Sequence, residues 1–259
     1  MNQDELRKTL SKLPLGEIRY FDSIGSTNNE ALAWATGNAK DFSLVIADEQ
    51  TAGRGRLDRK WSTPKGTALA FSLILRPTAN EKSFLTRMVG LAALAVVDSL
   101  QTRGLSAQIK WPNDILLNGY KVAGILIESV WSGEEVDCPV IGIGLNILKG
   151  AVPSPELLQF PATSLEELLG PDIDREKVLN DILAGIIALR PHIGSDSFLA
   201  SWEKALAFRG EQVQVTEGNG TLITGKLLGL ESDGSLRLKA EDGDSITVRF
   251  GDVRLRPYT

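Results

Sequence analysis

A chain of 259 residues, 42% hydrophobic and 24% charged, is long for one ordinary domain and short for three, which points to one large core with a small appended unit. Its 28 lysines and arginines against 33 acids leave a net charge of −5, which excludes nucleic-acid binding through an overall positive field. One cysteine, Cys138, excludes an intrachain disulfide and fits a reducing cytoplasm; one histidine, His192, excludes a multi-histidine metal site and leaves any Ser-His-Asp triad to that single residue.

The N-terminus, MNQDELRKTLSKLPLG, lacks the apolar centre of a signal peptide, and no apolar run reaches the roughly 18 residues that span a bilayer. A cytoplasmic protein away from membranes is expected. Residues 2–13 read as a short amphipathic helix. IRYFDSI then reads as a strand closed by Gly25. STNNEALAWATG reads as a helix N-capped by Ser26 or Thr27 and stopped at Gly37. FSLVIADEQ and TALAFSLILRP read as buried strands, the second ended by Pro77. Residues 81–104 read as one helix with a continuous apolar face, ending at Gly104.

Residues 107–147 predict three or four adjacent, largely antiparallel strands. Asn118-Gly119 marks the tightest turn among them, because both central residues of a type I′ turn need positive φ. A proline-rich loop with a helical piece follows Ile147, then two helices over 175–190 and 195–208. His192 falls at a helix end or on the surface. From Arg209 the pattern changes to five short strands with Gly and Asp-Gly turns, which suggests a small SH3-like barrel. The expected division is a unit of residues 1–208 and a barrel of 209–259.

Three stretches could carry chemistry. TAGRGRLDRKW places Arg54, Arg56 and Arg59 among Gly53 and Gly55. The glycines free the backbone and its amides, and the guanidinium forks suit carboxylate or phosphate. The stretch is neither a Walker A loop nor a dinucleotide fingerprint; GIGLNI at 142–147 has only the first two glycines of the latter. KWPNDILLNGYKVAGILIES sets Asn113 and Asp114 at a strand–turn junction. It starts an apolar strand at Lys121, a lysine that either points to solvent or is held inside by an anion. Gly124 removes a side chain where something approaches the sheet. IGSTNNE places hydroxyls at a helix N-terminus, which caps the helix or holds a polar ligand.

In order and spacing, GRGR followed by KW, then KWPND, then K-x-A-G-I-L-x-E, together with GIGLN, resemble the biotin protein ligases over residues 18–147, with the barrel matching more loosely. The resemblance implies an α+β catalytic domain like the class II synthetases, a mixed, largely antiparallel sheet backed by helices, followed by the SH3-like barrel. It implies that biotin and Mg-ATP give biotinyl-5′-adenylate and pyrophosphate, and that the acyl group then passes to one lysine of a biotin carboxyl carrier domain. By motif, Lys121, Arg56, Arg54 and Asp114 are the implied catalytic residues. Ser26, Thr27, Asn28, Gln50, Gly53, Arg54, Gly55, Arg56, Lys121, Gly124 and Gly142 are implied at biotin. Arg54, Arg56, Arg59, Lys60, Trp61, Asn113, Lys121 and Asn146 are implied at ATP, with Asp114 at Mg²⁺.

The charges fit such a reaction, since a carboxylate attacking a phosphate brings two anions together. A cationic loop that folds over the adenylate also keeps water from it. Leu57-Asp58 departs from the family's usual glycine-bearing loop at that place. The catalytic strand begins by residue 18, so the ligase-only form is expected, without the N-terminal winged-helix repressor domain of many bacterial members and without an operator function. Monomer and homodimer both stay open. The rival readings are a lipoate–protein ligase and a non-catalytic ligand- or nucleic-acid-binding module built on the barrel. The barrel's Lys226, Arg237, Lys239, Arg249, Arg254 and Arg256 are nearly balanced by acids, and only Phe250 and Tyr258 are aromatic there, which makes a poor nucleic-acid surface.

Overall fold

The structure is a computed structural model and describes residues 1, 3–37, 39–217, 220–249 and 254–257. In chain order its elements are α1 (Gln3–Leu10), β1 (Ile18–Phe21), α2 (Thr27–Ala35), β2 (Ser43–Ala47), β3 (Ala68–Ile74), α3 (Ala79–Lys82) and α4 (Met88–Gln101). There follow β4 (Ala107–Lys110), β5 (Asp114–Leu117), β6 (Tyr120–Ser132), β7 (Glu135–Asn146), α5 (Glu166–Leu169), α6 (Arg175–Leu189) and α7 (Asp196–Lys204). The last five strands are β8 (Gln212–Thr216), β9 (Leu222–Leu230), β10 (Leu236–Lys239), β11 (Ser245–Val248) and β12 (Arg254–Pro257).

Seven strands form one sheet in the order β1-β2-β3-β7-β6-β5-β4. Only β1–β2 is parallel; the other pairs are antiparallel. Residues 107–147 thus supply four neighbouring strands, as the sequence predicts. Asn118 and Gly119 have φ of 51° and 81°, the positive pair of the expected hairpin turn. Helices α1, α4 and α6 cover one face and α2 the other, so β3 is buried along its whole length. Leu69, Phe71 and Leu73 of β3 join the large core on the α4 side. Ile74 joins Ala31, Trp34, Val45 and Val140 on the α2 side.

On the α2 side the ladder lines up small residues. Asp114 pairs with Gly124, Gly124 with Gly144, and Gly144 with Ala70. In the next row Leu126 pairs with Gly142 and Gly142 with Ser72. Partners across a ladder share a face, so these rows form a shallow floor beside α2. The glycines of GIGLN fall two apart for this reason.

The helix expected over 81–104 is instead broken. Thr78 and Glu81 close a capping box on the one-turn helix α3, a 3₁₀ turn spans Leu85–Arg87, and α4 begins at Met88. Phe84 leaves helical geometry at φ −122°, ψ 20°, and its ring packs against Gly194, where an added Cβ would come within 2.6 Å of it. The break aims the buried Arg87 at the carbonyls of Ile193 (2.9 Å) and Ser232 (2.7 Å), fastening the C-terminal strands to α4. The stop at Gly104 stands, at φ 76°. His192 is exposed in the 3₁₀ turn that ends α6.

The C-terminal strands form an antiparallel sheet in the order β11-β10-β9-β8-β12, the five short strands expected there. They dock through Arg87 and through Trp111, whose indole N–H donates to the Gly234 carbonyl at 3.0 Å. Phe250 and Tyr258 lie outside the described residues.

Candidate functional site

A cleft open to solvent lies over the small-residue floor between α2, the 53–61 loop and the end of β12. Its walls hold Arg54, Arg56, Arg59, Lys60, Lys110, Lys121 and Arg256 and a single carboxylate, Asp114. A slightly acidic protein has therefore gathered cations at one place, the arrangement that attracts and holds an anion.

The α2 end of the cleft is a neutral hydrogen-bonded network. Ser26 stands at the N-cap of α2, but its side chain makes no capping bond. The Gln50 side-chain Oε1 takes that role, accepting from the Thr27 backbone N–H at 2.8 Å and its hydroxyl at 3.1 Å, while Gln50 Nε2 donates to Thr63 at 3.2 Å. Ser26 is buried in the cleft wall. Ser72 Oγ, on β3, lies 2.8 Å from Thr27 Oγ1 and donates to Asn28 Oδ1 at 2.5 Å. Asn28 Nδ2 donates to Glu128 at 3.0 Å and to the Leu126 carbonyl at 3.3 Å. Gly142 is required for this approach, since a Cβ there would stand 2.1 Å from Asn28 Oδ1.

The opposite end is charged. Lys121 Nζ lies 2.6 Å and Lys110 Nζ 3.5 Å from the two oxygens of Asp114. Burial alone would raise the Asp114 carboxyl; the charges of Lys121 and Lys110 and their hydrogen bonds outweigh it and hold it below the ordinary carboxylate value. Burial lowers Lys110 to about 8, with Asp114 opposing the shift and Arg256 and Lys121 adding to it. Lys110 also sits 4.3 Å above the Phe160 ring, and the Arg256 guanidinium lies 5.2 Å from the same ring.

Between the two ends runs the glycine-arginine loop, folded as a small hairpin. Trp61 N–H donates to the Gly53 carbonyl at 2.9 Å and Gly55 N–H to the Arg59 carbonyl at 2.7 Å. Leu57 and Asp58 form its tip with φ of 58° and 55°, positions that glycine occupies at less cost. This is the physical content of the Leu57-Asp58 departure. Arg54 pairs with Glu128, and Arg56 donates to Asn113 Oδ1 at 3.3 Å. Asn113 is itself held by the Ile125 carbonyl at 2.7 Å. The Trp61 indole lies on the floor: a Cβ on Gly144 would stand 2.3 Å from it, and one on Gly124 3.1 Å. Lys121 Nζ is 5.4 Å from its ring centre. Trp61 Nε1 is buried against the Gly144 floor with no hydrogen-bond partner among the described residues.

Of the site residues named from sequence, the cleft brings together Ser26, Thr27, Asn28, Gln50, Arg54, Gly55, Arg56, Arg59, Lys60, Trp61, Asn113, Asp114, Lys121, Gly124 and Gly142. Gly53 and Asn146 are not in its walls. Gly53 packs beneath the loop, where a Cβ would meet the Trp61 carbonyl at 2.4 Å. Asn146 donates to the Thr163 carbonyl at 3.0 Å and so holds the segment after Pro161. That segment runs beside Lys121, whose N–H donates to Pro161 at 2.8 Å. Sequence reading gave no role to Ser72, Lys110, Gly144, Glu128 and Arg256, although Lys110, Gly144 and Glu128 lie in the KWPND, GIGLN and K-x-A-G-I-L-x-E motifs it quotes. Ser72 carries a signal, a lone hydroxyl in the apolar run ALAFSLI; Arg256 carries none, because only the docking of β12 brings it here.

A sequence profile of the Biotin/lipoate A/B protein ligase family matches residues 20–146, and one of the Biotin protein ligase C terminal domain matches residues 208–256. The chain is 36% identical to the Bifunctional ligase/repressor BirA of Bacillus spizizenii, over 94% of this chain and 76% of that protein. It is 35% identical to the Biotin--[acetyl-CoA-carboxylase] ligase of Paracoccus denitrificans, over 85% of this chain and 93% of that one. The structure of the biotin protein ligase from Aquifex aeolicus in complex with biotin and ATP superposes with a TM-score of 0.79 at 30% identity, covering 93% of this chain and 99% of that chain. With both segments matched in order and relatives aligned over nearly the whole chain, this protein belongs to the biotin protein ligase family.

Proposed function

We propose that the cleft makes biotinyl-5′-adenylate and passes biotin to a lysine of a biotin carboxyl carrier domain. In the first step a carboxylate oxygen of biotin bonds to the α-phosphorus of ATP, the bond to the β-phosphate bridge breaks, and pyrophosphate leaves with the electron pair. In the second, the neutral amine of the carrier lysine bonds to the acyl carbon, AMP leaves, and the amine gives up a proton. Both nucleophiles are substrates, which agrees with a cleft lined by neither Cys138 nor His192.

The observation that carries this reading is the division of one cleft into a neutral, hydrogen-bonded end and a cationic end. The network of Thr27, Asn28, Ser72 and Gln50 suits a ureido head, which offers two N–H donors and one carbonyl. Lys121, Lys110, Arg54, Arg56 and Arg256 suit the phosphates and the charge that builds on them. Trp61 offers an aromatic face between the two ends. Gly53 and Asn146 act as supports, one beneath the loop and one behind Lys121.

Mg²⁺ bound with ATP would neutralise phosphate charge, and Asp114, whose two oxygens face Lys121 and Lys110, would serve as one ligand among water and phosphates only by giving up one of those contacts. Asp114 also keeps Lys121 and Lys110 apart and aimed at the same region. We divide the chain into a catalytic unit of 1–208 and a barrel of 209–259 that closes the cleft with Leu255 and Arg256. No helix among the described residues is long and apolar enough to cross a membrane, and a single buried thiol supports a cytoplasmic setting.

Biotin-dependent exchange of labelled pyrophosphate into ATP tests the first step. Exchange with biotin and not with lipoate is expected; exchange with lipoate alone would overturn the assignment.

A further inference from the structure

We propose that Glu128 is a positioning residue that ties the neutral pocket to the arginine loop and fixes the orientation of the Asn28 amide. The inference rests on the biotin ligase reading above. Glu128 stands on β6 in the run ILIESV, where an acid has no packing role, and it is half-buried. Its Oε2 accepts from Asn28 Nδ2 at 3.0 Å and from the Arg54 guanidinium. Asn28 belongs to α2 and Arg54 to the loop, and both line the cleft while Glu128 stands behind them. One carboxylate oxygen therefore joins the two walls of the cleft.

The chemistry of the three groups makes this more than a surface ion pair. An asparagine amide can turn over, exchanging its acceptor and its donor. Ser72, at 2.5 Å on the other side, tolerates either orientation, because a hydroxyl both donates and accepts. An ionised carboxylate only accepts, so with Glu128 in place the turned amide would set oxygen against oxygen. Glu128 thus acts with the Leu126 carbonyl, the other acceptor of Asn28 Nδ2 at 3.3 Å, to make Asn28 present Oδ1 towards Ser72 and the Gly142 floor, and with it the pattern of donors and acceptors that a ligand meets. The same charge holds Arg54 by one terminal nitrogen.

Removing the charge while keeping the shape, Glu128→Gln, loosens the Asn28 amide, whose remaining fixed acceptor is the Leu126 carbonyl, and frees Arg54. KM for biotin in pyrophosphate exchange is expected to rise on the order of tenfold, the effect of removing one charge-assisted hydrogen bond, with KM for ATP, which Arg54 serves, rising clearly less and the melting temperature unchanged. Glu128→Asp, which keeps the charge but withdraws it by one carbon, should recover part of the loss, and it carries the same comparison should the glutamine variant not accumulate folded. In an Asn28→Ala background, Glu128→Gln should add less than it does alone, because its partner is gone. An unchanged KM for biotin, an equal rise in both KM values, or full additivity with Asn28→Ala would each overturn the positioning role. Absence of biotin-dependent exchange by the wild-type protein would instead overturn the functional reading beneath it.

Discussion

Lys121 and Asp114 form a 2.6 Å ion pair across the Asn118-Gly119 hairpin, although the ladder does not set them opposite one another. Asp114 pairs with Gly124 and Lys121 with Leu116, with the register shifting between Ile115 and Leu116. The side chain of Lys121 therefore lies back over the missing side chain of Gly124 to reach Asp114; a Cβ on Gly124 would stand 3.4 Å from its ammonium. The lysine of an apolar strand is held by an internal anion.

Lys121→Ala should leave the fold intact and remove a charge aimed at the developing phosphate charge, worth about 3–4 kcal/mol, or 10² to 10³ in rate. Single-turnover adenylate formation measures this directly. A variant within a few-fold of wild type would take Lys121 out of the chemistry.

Lys110 should give the reaction a descending limb at alkaline pH. Its value near 8 in the free protein means that it is charged below that pH and neutral above it. ATP is fully ionised throughout this range, so the loss of attraction falls on the enzyme side. kcat/KM for ATP should decline as pH rises through about 8, since that ratio reports groups of the free enzyme. Lys110→Gln should start lower and lack the limb. Superimposable pH profiles for the two proteins would contradict the assignment.

The floor glycines should differ in their tolerance of alanine. A Cβ on Gly144 would sit 2.3 Å from the Trp61 ring, so the indole must leave its place; on Gly124 the distance is 3.1 Å, and a slight shift suffices. Overpacking of this kind costs roughly 1–3 kcal/mol. Gly144→Ala should weaken ligand binding by on the order of tenfold or more and Gly124→Ala by clearly less. Calorimetric titration with biotin and a non-hydrolysable ATP analogue would show the order; equal effects would mean that Trp61 does not rest on this floor.

Arg56 joins the loop to Asn113 and, through it, to Ile125 of β6. Arg56→Gly removes a charge-assisted hydrogen bond of about 1.5–3 kcal/mol, and the activated acid should escape before it meets its acceptor. A streptavidin blot of a bystander such as albumin, incubated with biotin, ATP and each protein, should label with the variant and not with wild type. Equal labelling would deny Arg56 a retaining role.

Much of this was legible in the sequence because it is local. The type I′ turn at Asn118-Gly119 and the strand period that puts Gly142 and Gly144 on one face can each be read within a few residues. So can the clustering of cations from Arg54 to Lys60. What escaped reading is non-local. Arg256 reads as one more barrel charge until Trp111 and Arg87 dock the barrel. Lys110 reads as a strand residue until Asp114 and Phe160 enclose it. The break before α4 escaped because the apolar face continues through it, and only the packing of Phe84 on Gly194 ends the helix there. Gly53 and Asn146 belong to the family motifs, yet here they stand behind the walls they support.

Intact-mass spectrometry of an isolated biotin carboxyl carrier domain incubated with the protein, biotin and ATP tests the central claim most directly. The carrier should gain one biotinyl group, with no gain when its acceptor lysine is replaced by arginine or when ATP is withheld. An unmodified carrier in the presence of folded wild-type protein, or a gain that persists without ATP, would contradict adenylate-mediated transfer by this cleft.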